Sequence, residues 1–270
     1  MPKLNDVHDF WNSESCGARH AEGDSEIEQF RSQEKLRYQL EPFIIDFARF
    51  DDFHSLDVLE IGVGFGADHS RIARSEPNSL VGVDLTDRAI ENTKARFEVL
   101  GLKSELKVEN AENLSFEDNL FDAVYSWGVL HHSPNTEKCF EEVFRVLKPG
   151  GFAKIMIYHK HAPTGWMLWL RYGLLKLRPF VGMKEIYSSY LESPGTKAYS
   201  IEEARHLSKS FSHFEANIEL CTGDLLEADA GARHKGPFLS LARVIYPRFL
   251  IRLLSRFVPI GLFMLITVKK

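Results

Sequence analysis

A strand that ends in an acid and three closely spaced glycines constrains this chain more than any other feature. The run Val58–Gly66 reads VLEIGVGFG, with glycine at positions 62, 64 and 66. A backbone without side chains can approach a bound ligand closely. The residues after Gly66 have the pattern of a helix, whose free N–H groups and positive dipole end would face that ligand. The pattern predicts a loop that holds a nucleotide cofactor.

The glycine spacing alone does not identify the cofactor. Gly62-x-Gly64-x-x-Ala67 also fits the dinucleotide fingerprint with alanine in the last place. The next strand, Leu80–Asp84, ends in a carboxylate about 20 residues past the glycines, where an acid can accept both hydroxyls of an adenosine ribose. A nicotinamide dehydrogenase shares both features, so that alternative stays open at this point.

Three later segments are more specific. They are Leu106–Phe116 (LKVENAENLSF), Phe121–Pro134 (FDAVYSWGVLHHSP) and Arg145–Gly151 (RVLKPGG). In this order, together with the glycine loop, they resemble the class I S-adenosylmethionine-dependent methyltransferases, in particular the branch similar to quinone-biosynthesis methyltransferases. The resemblance covers residues 56–158. A dehydrogenase has no role for Asn110–Ala111 or for the Lys148–Gly151 turn.

The resemblance implies a set of residues that would bind S-adenosyl-L-methionine and its product, S-adenosyl-L-homocysteine. They are Glu60, Gly62, Gly64 and Gly66 for the methionine part, Asp84 with Leu85 for the ribose, Asn110, Ala111 and Glu112 for the adenine edge, and Ser126, Trp127 and Gly128 for the sulfonium end. Two residues depart from the commoner pattern, because Asn110 and Asn135 stand where an Asp is usual. An amide oxygen can still accept from the adenine amino group.

The segments also predict the fold. Five strand-like runs separated by helical stretches imply parallel βαβ units, at 56–61, 80–84, 106–109, 121–127 and 152–158. Two further runs, 214–220 and 262–268, are expected to form an antiparallel pair. The resemblance implies an α/β, Rossmann-like sheet of order 3-2-1-4-5-7-6 with the last strand antiparallel. Thr86 and Gly101 are typical of the two ends of one helix, and Ser200-Ile-Glu-Glu203 of the start of another.

We expect one domain over residues 1–270. Residues 1–55 would form an N-terminal helical cap, with a helix within Asp24–Phe50, and 56–158 the cofactor-binding core. The insertions 160–199 and 222–259 would form lids that carry substrate choice. Cys16–Gly17, in a polar stretch, could also fold over the cofactor.

Composition is typical of a globular protein in a reducing compartment. Hydrophobic residues make up 44% of the chain and charged residues 26%. Cys16, Cys139 and Cys221 show no C-x-x-C spacing, so neither a disulfide framework nor a zinc site is indicated. The N-terminus lacks an apolar h-region, and the apolar run 258–268 is shorter than the roughly 20 residues of a membrane span. We expect a cytoplasmic protein, with peripheral membrane contact as an open alternative.

Both insertions are rich in basic, apolar and aromatic residues. No Asp or Glu lies between Glu142 and Glu185, and none follows Asp229, although the net charge of the chain is -5. That mixture suits contact with an anionic bilayer or a lipid-like substrate. The alternative is a pair of lid helices whose apolar stripes pack on the sheet and whose arginines are solvated. The acidic net charge argues against nucleic acid binding.

The expected reaction is an in-line displacement that moves a methyl group to an O, N or C atom of a small organic acceptor. Alignment inside a site closed to water can supply most of the acceleration without a metal. An acceptor hydroxyl or acidic carbon would also need a base, for which His131, His132 and His159 are candidates. His131 and His132 could instead cap or pack the next helix. His159 and His161 have no third ligand at metal spacing.

Aromatic residues complete the expected site on the acceptor side. Trp11 and Tyr38 could cover a sulfonium through cation–π attraction, with Tyr158 beside the acceptor, and ordinary core burial is the alternative. Two other functions stay open. One is a membrane-associated methylase of a quinone-like or lipid acceptor, and the other is a cofactor-binding module that has lost catalysis and serves in interactions.

Overall fold

A single mixed sheet organises the chain. The structure is a computed structural model that describes residues 3–13, 23–227 and 246–270. Their seven strands follow the order β3-β2-β1-β4-β5-β7-β6. They are β1 Asp57–Ile61, β2 Ser79–Asp84, β3 Glu105–Val108, β4 Phe121–Trp127, β5 Leu147–Tyr158, β6 His213–Glu219 and β7 Phe263–Lys269. Strands β1 to β5 are parallel where they pair, and β7 runs antiparallel to both neighbours. The predicted order and the antiparallel last strand are confirmed.

Helices connect and flank these strands. In the described ranges they are α1 Leu4–Ser13, α2 Glu26–Leu40, α3 Phe43–Ala48, α4 Ala67–Arg74, α5 Asp87–Leu100, α6 Thr136–Val146, α7 Pro163–Tyr172, α8 Met183–Tyr190, α9 Ile201–Leu207 and α10 Arg248–Leu254. Helix α5 begins at a Thr86 cap and ends at Gly101, as predicted. Helix α9 begins with the predicted capping box of Ser200 and Glu203.

The helix expected within 24–50 is two helices. Helix α2 ends at Leu40, and α3 begins after Pro42. Proline has no backbone N–H, and its ring clashes with the preceding turn of a helix, so the single helix breaks there. The break turns α3 toward the sheet, where Ile44 and Ala48 are fully buried.

The two faces of the sheet carry separate cores. Strand β1 is buried along nearly its whole length, as expected of a central parallel strand with helices on both faces. Its Val58 packs with α3 and α4 on one face, and its Leu59 packs with α6 on the other. The carboxyl ends of the parallel strands lie at one edge of the sheet. In open α/β sheets, a ligand binds at that edge. Among the described residues, no helix is long and apolar enough to cross a bilayer.

Candidate active site

A cavity of about 290 Å³ opens at the carboxyl ends of β1, β2 and β4. Twelve of the eighteen sequence-predicted site residues line it. They are Trp11, Glu60, Gly62, Gly64, Asp84, Leu85, Asn110, Ala111, Trp127, Gly128, His132 and Tyr158. The other six, which are Tyr38, Gly66, Glu112, Ser126, His131 and His159, are not part of the cavity wall. The sheet edge therefore brings together residues up to 147 positions apart in sequence, from Trp11 to Tyr158.

The glycine loop forms the floor of the cavity. Two of its positions, Gly62 and Gly66, have no room for a larger residue. Gly62 has a φ of 87°, and a Cβ there would lie 2.0 Å from Val129 Cγ2. Gly66 has a φ of 76° and packs against Thr93 and Arg96 of α5, so it shapes the loop without reaching the cavity. Helix α4 begins immediately after Gly66, so its first turn directs N–H groups at the site.

Asp84 joins the end of β2 to the glycine loop. Its Oδ2 accepts from the Gly64 N–H at 3.1 Å, and its Oδ1 accepts from the Thr86 N–H at 3.0 Å and the Thr86 hydroxyl at 2.9 Å. Asp84 lines the cavity, and its Oδ2, which accepts only the Gly64 N–H among these three bonds, can also accept a ligand hydroxyl. Burial raises the pKa of Asp84, although these hydrogen bonds favour its carboxylate.

Glu60 faces the cavity as a neutral acid bonded to His69. The Ser104 hydroxyl donates to the Leu80 carbonyl at 3.0 Å, so its oxygen accepts from His69 Nε2–H at 2.7 Å. The lone pair on His69 Nδ1 then accepts from the Glu60 carboxyl at 2.8 Å. Burial raises the pKa of Glu60 well above its usual value and lowers the pKa of His69 to about 3.

Sequence reasoning missed the strongest charged contact under the cavity. Arg37 of α2 binds the Asp68 carboxylate through Nε–Oδ1 at 2.9 Å and Nη2–Oδ2 at 2.6 Å. Tyr38 and Tyr125 donate to the same carboxylate at 2.8 and 2.9 Å. Burial opposes ionisation of Asp68, but the charge and hydrogen bonds of Arg37 hold the pKa of Asp68 below its usual value. Asp68 in the first turn of α4 was the signal available in the sequence, whereas nothing marked Arg37 as its partner.

The rim after β3 is held by side chain to backbone bonds. The Asn110 amide oxygen accepts from the Glu112 N–H at 3.0 Å, which turns the chain there. The Glu112 carboxylate points away and accepts from the Asn135 N–H at 2.7 Å and from the Ser133 hydroxyl. Glu112 was expected at the adenine edge, but its side chain fixes the start of α6 instead. Asn110 and Ala111 are on the cavity wall.

The far end of the cavity is aromatic and apolar. Trp127 stacks with Phe43 at 6.2 Å between ring centroids and meets Phe263 edge-on at 5.9 Å. Gly128 leaves room for Met156, whose Cε lies 3.2 Å from where a Cβ would be. The neighbouring Ser126 was expected to line this end, but it is fully buried and donates to the Ile61 carbonyl at 3.0 Å.

One histidine of the predicted three reaches the cavity. His132 Nε2 lies 3.4 Å from Glu192 Oε2, and its Nδ1 lies 2.8 Å from Ser193 Oγ and 3.1 Å from Thr196 Oγ1. Tyr158 donates its hydroxyl to the same Glu192 oxygen at 2.6 Å. Glu192 also lines the cavity, although no sequence motif marked it. Trp11 meets the His132 ring edge-on at 5.1 Å.

The other two histidines lie behind the wall. His131 is fully buried between His132 and Tyr158, with ring centroids 4.1 and 4.0 Å away, and burial lowers its pKa well below the usual value. His159 donates from Nδ1 to the Gly261 carbonyl at 3.1 Å, and burial lowers its pKa to about 4. Their positions do not fit the expected role of a base.

Tyr38 is likewise part of the core. Its ring packs edge-on against Phe50 at 6.3 Å, and its hydroxyl is bound to Asp68. The expected place over a sulfonium does not fit this burial. The rings of His159 and His161 lie 5.4 Å apart, and the described residues contain no group of three His, Cys, Asp or Glu side chains that could hold a metal ion. Cys16–Gly17 and residues 228–245 of the second insertion lie outside the described residues.

Known methyltransferases resemble this chain in sequence. Residues 59–155 match the family model described as a methyltransferase domain. Sterol 24-C-methyltransferase erg6 of Aspergillus fumigatus is 33% identical over 123 residues, which are 42% of this chain and 33% of that protein. Phosphoethanolamine N-methyltransferase 2 of Caenorhabditis elegans is 34% identical over 42% of this chain and 26% of its own length.

Solved structures share the fold over nearly the whole chain. An S-adenosylmethionine-dependent methyltransferase from Methanosarcina mazei has a TM-score of 0.54 at 22% identity, covering 85% of this chain and 97% of its own. The [4+2]-cyclase SpnF has a TM-score of 0.54 at 15% identity, covering 99% and 93%. At these identities the likeness shows the fold alone.

The sheet order, the glycine loop and the matched domain define a class I methyltransferase fold. Residues 59–155 match the methyltransferase domain, and the chain has the fold of the class I S-adenosylmethionine-dependent methyltransferases. The match spans about a third or less of the length of the two sequence relatives named above. S-adenosylmethionine is the cofactor of these methyltransferases, and Oδ2 of Asp84 and the cationic and acidic groups beside the loop fit its ribose and amino-acid parts.

Proposed function

We propose that this protein transfers the methyl group of S-adenosylmethionine to a small organic acceptor that loses a proton in the reaction. The observation that carries the proposal is one cavity with two chemically different ends. The glycine loop and Asp84 lie at one end, and His132, Tyr158 and Glu192 lie at the other. A cofactor held at the first end would present its sulfonium between them.

The cofactor end supplies binding and orientation. Oδ2 of Asp84 would accept from a ribose hydroxyl, and Asn110 and Ala111 would contact the adenine edge. Glu60 and Arg37 both face the cavity, so they would hold the ammonium and carboxylate groups of the amino-acid part. When bound, the cofactor supplies an electrophilic methyl group.

The acceptor end supplies a base. Thr196 already donates its hydroxyl proton to the Ser193 carbonyl at 2.7 Å, so its oxygen can accept from His132 Nδ1, and the Ser193 hydroxyl can accept there as well; we assign the proton of His132 to Nδ1. That tautomer leaves the lone pair of Nε2 on the side of Glu192 and the cavity. His132 would take the acceptor proton on Nε2, and the Glu192 carboxylate 3.4 Å away would stabilise the resulting imidazolium.

The lining favours an acceptor with an apolar body. Trp127, Met156 and Phe263 surround the far end, so a highly charged acceptor would lose hydration there without compensation. The sequence relatives are named for a sterol and for phosphoethanolamine, so their names do not agree on an acceptor. The chemistry of the site supports an acceptor with an O–H, N–H or acidic C–H group next to an apolar skeleton.

The domain division is part of the same proposal. Glu192 comes from the first insertion, 160–199, and reaches the cavity of the core. The 1–55 segment contributes Trp11 and Arg37 to the wall. We therefore assign the cap and the first insertion to closure of the acceptor side, and the 56–158 core to cofactor binding.

Transfer of labelled methyl from the cofactor to extracted metabolites tests the proposal. The wild-type protein should label an organic-soluble product, and His132→Asn should bind cofactor normally but lose most of that labelling. Cofactor binding without labelling of any extract would favour the interaction module over an enzyme. Failure to bind the cofactor would contradict both.

A further inference from the structure

Exposed apolar side chains are concentrated in two short segments. Twelve of the fifteen large apolar side chains that the described ranges expose lie in residues 166–180 and 249–258. Among them, Leu177 is 90% exposed, Phe180 98% and Phe249 81%. Contiguous exposed apolar surface on a soluble protein marks a binding face more often than chance. We name these two segments the apolar surface.

The apolar surface is basic throughout. Residues 166–180 contain Arg171, Lys176 and Arg178, residues 249–258 contain Arg252 and Arg256, and neither segment contains Asp or Glu. Two of the arginines are already paired with acids outside these segments, Arg178 with Glu185 and Arg252 with Glu227. A basic and apolar surface complements a partner that offers both negative charge and an apolar interior.

Helix α10 shows this pattern most clearly. It buries none of its residues. Arg248 and Arg252 lie four residues apart, so they are near one stripe of the helix, and Phe249 and Leu253 form the next stripe; Arg256 and Phe257 follow in the turn after the helix. A helix with no buried residue contributes little to the core of the domain, so its apolar stripe requires a partner outside the described structure.

A buried aspartate, Asp224, bonds residues that lie next to the two segments in sequence. Asp224 is fully buried, and its carboxylate accepts from the Thr164 N–H at 3.0 Å and from the Leu262 N–H at 2.7 Å. Its backbone carbonyl accepts from the Tyr246 hydroxyl at 2.9 Å. Helices α7 and α10 thus begin beside the same residue. At 1.5 Å per residue, each helix extends only about 10 to 15 Å from that common starting point.

Leu177 combines a left-handed backbone conformation with an exposed apolar side chain. It has a φ of 57°, in the left-handed region that Gly or Asn adopts readily and a branched apolar residue does not. It is also almost fully exposed. Its N–H caps the preceding turn by donating to the Leu174 carbonyl at 3.0 Å, but its side chain gains no burial from this position. Such strain is retained where the exposed side chain has another use.

We propose that the apolar surface docks the protein on an anionic lipid bilayer, with the apolar side chains inserted at the headgroup level and the arginines and lysines against lipid phosphates. Insertion of apolar groups together with a cluster of basic residues provides the two signals that stable peripheral binding requires. Docking would not require methyl transfer. It would bring the enzyme close to an apolar acceptor in the membrane.

Flotation of the full-length protein with vesicles tests the proposal. We expect the protein to float with phosphatidylcholine vesicles that contain phosphatidylglycerol, to bind pure phosphatidylcholine more weakly, and to be released by high salt. Leu177→Asn combined with Phe180→Ser should lower the partition coefficient by about tenfold or more, because two inserted side chains are lost. The same double variant should keep or raise the melting temperature, since Asn suits the left-handed backbone.

Matched control variants distinguish the contribution of the apolar surface to vesicle binding from the general effects of a substitution. Leu120→Ser removes an exposed apolar side chain elsewhere and should leave flotation unchanged, whereas Phe249→Ser should reduce it. Arg256→Glu should reduce binding to anionic vesicles more than Lys94→Glu does. The proposal is wrong if the wild type stays with the buffer under all vesicle compositions, or if the double variant floats like the wild type. It is also wrong if light scattering shows that the wild type is a dimer that does not bind vesicles and that the variants are monomers.

Discussion

Arg37 and Asp68 form a bidentate ion pair beneath the cofactor cavity, with both nitrogen to oxygen distances below 3 Å. The pair links α2 of the N-terminal segment to the first turn of α4. The side chain of Asp68 is 4% exposed and that of Arg37 is 20% exposed. The N-terminal helices are therefore part of the site, because the residue that fixes Asp68 comes from them.

Removing Asp68 should destabilise the fold strongly. Asp68→Ala leaves the Arg37 charge and two tyrosine hydroxyls without an acceptor, which should lower the free energy of unfolding by about 3 kcal/mol or more. Tyr125→Phe removes one hydrogen bond and keeps the ring, so it should cost only about 1 kcal/mol. Urea denaturation measures both. Equal losses for the two variants would show that the ion pair contributes nothing beyond one hydrogen bond.

Gly62 should resist substitution for two separable reasons. Gly62→Ala places a methyl group against Val129 and also forces a left-handed backbone, so it should destabilise the protein by about 1 to 3 kcal/mol and weaken cofactor binding. Adding Val129→Ala relieves the contact but not the backbone strain. The double variant should recover only part of the melting temperature. Full recovery would mean that the contact alone accounts for the glycine.

Cofactor binding should release a proton from Glu60. In the free protein burial keeps this acid neutral, and a ligand ammonium beside it would favour the carboxylate. Between the raised pKa of the free protein and the lower pKa of the complex, affinity should increase with pH, with about one proton released per site. Calorimetry in two buffers of different ionisation enthalpy counts that proton. Glu60→Gln should remove the pH dependence, and a wild type without proton release would place the ammonium elsewhere.

The two adjacent histidines should differ sharply. His132→Asn should lower kcat by about 100-fold or more while the Kd of the cofactor stays the same. Glu192→Gln should lower kcat less, because it removes only the charge that stabilises the imidazolium. His131→Leu should keep most activity, since its ring has no hydrogen-bond partner among the described residues. A larger loss in His131→Leu than in His132→Asn would reverse the assignment.

The core of the fold was predictable because its signals are local. Each signal lies within a few consecutive residues, as do the buried strands, the Thr86 cap and the Ser200 capping box. The family resemblance supplied the strand order. Most residues predicted for the cofactor line one cavity for the same reason. Asp84 and the glycines lie directly after strand ends, and the ends of parallel strands meet at one edge.

The acceptor side was not predictable in the same way. Nothing in the sequence separates His131 from His132, because only the turn that follows β4 decides which ring faces the cavity. Glu192 and Arg37 come from segments whose path depends on long-range packing. Tyr38 was expected in the site for its aromatic ring and Ser126 because of the family resemblance, but core contacts took both side chains away from it.

Calorimetric titration of S-adenosyl-L-homocysteine into the wild-type protein and Asp84→Ala tests the central claim most directly. We predict binding of one molecule per chain to the wild type, and an affinity lower by about 1 to 3 kcal/mol in the variant because ribose hydroxyls lose their acceptor. Thermal melting of the unliganded variant controls for loss of the Gly64 hydrogen bond. A wild-type protein that is folded but binds no ligand, or a variant with unchanged affinity, would contradict the account.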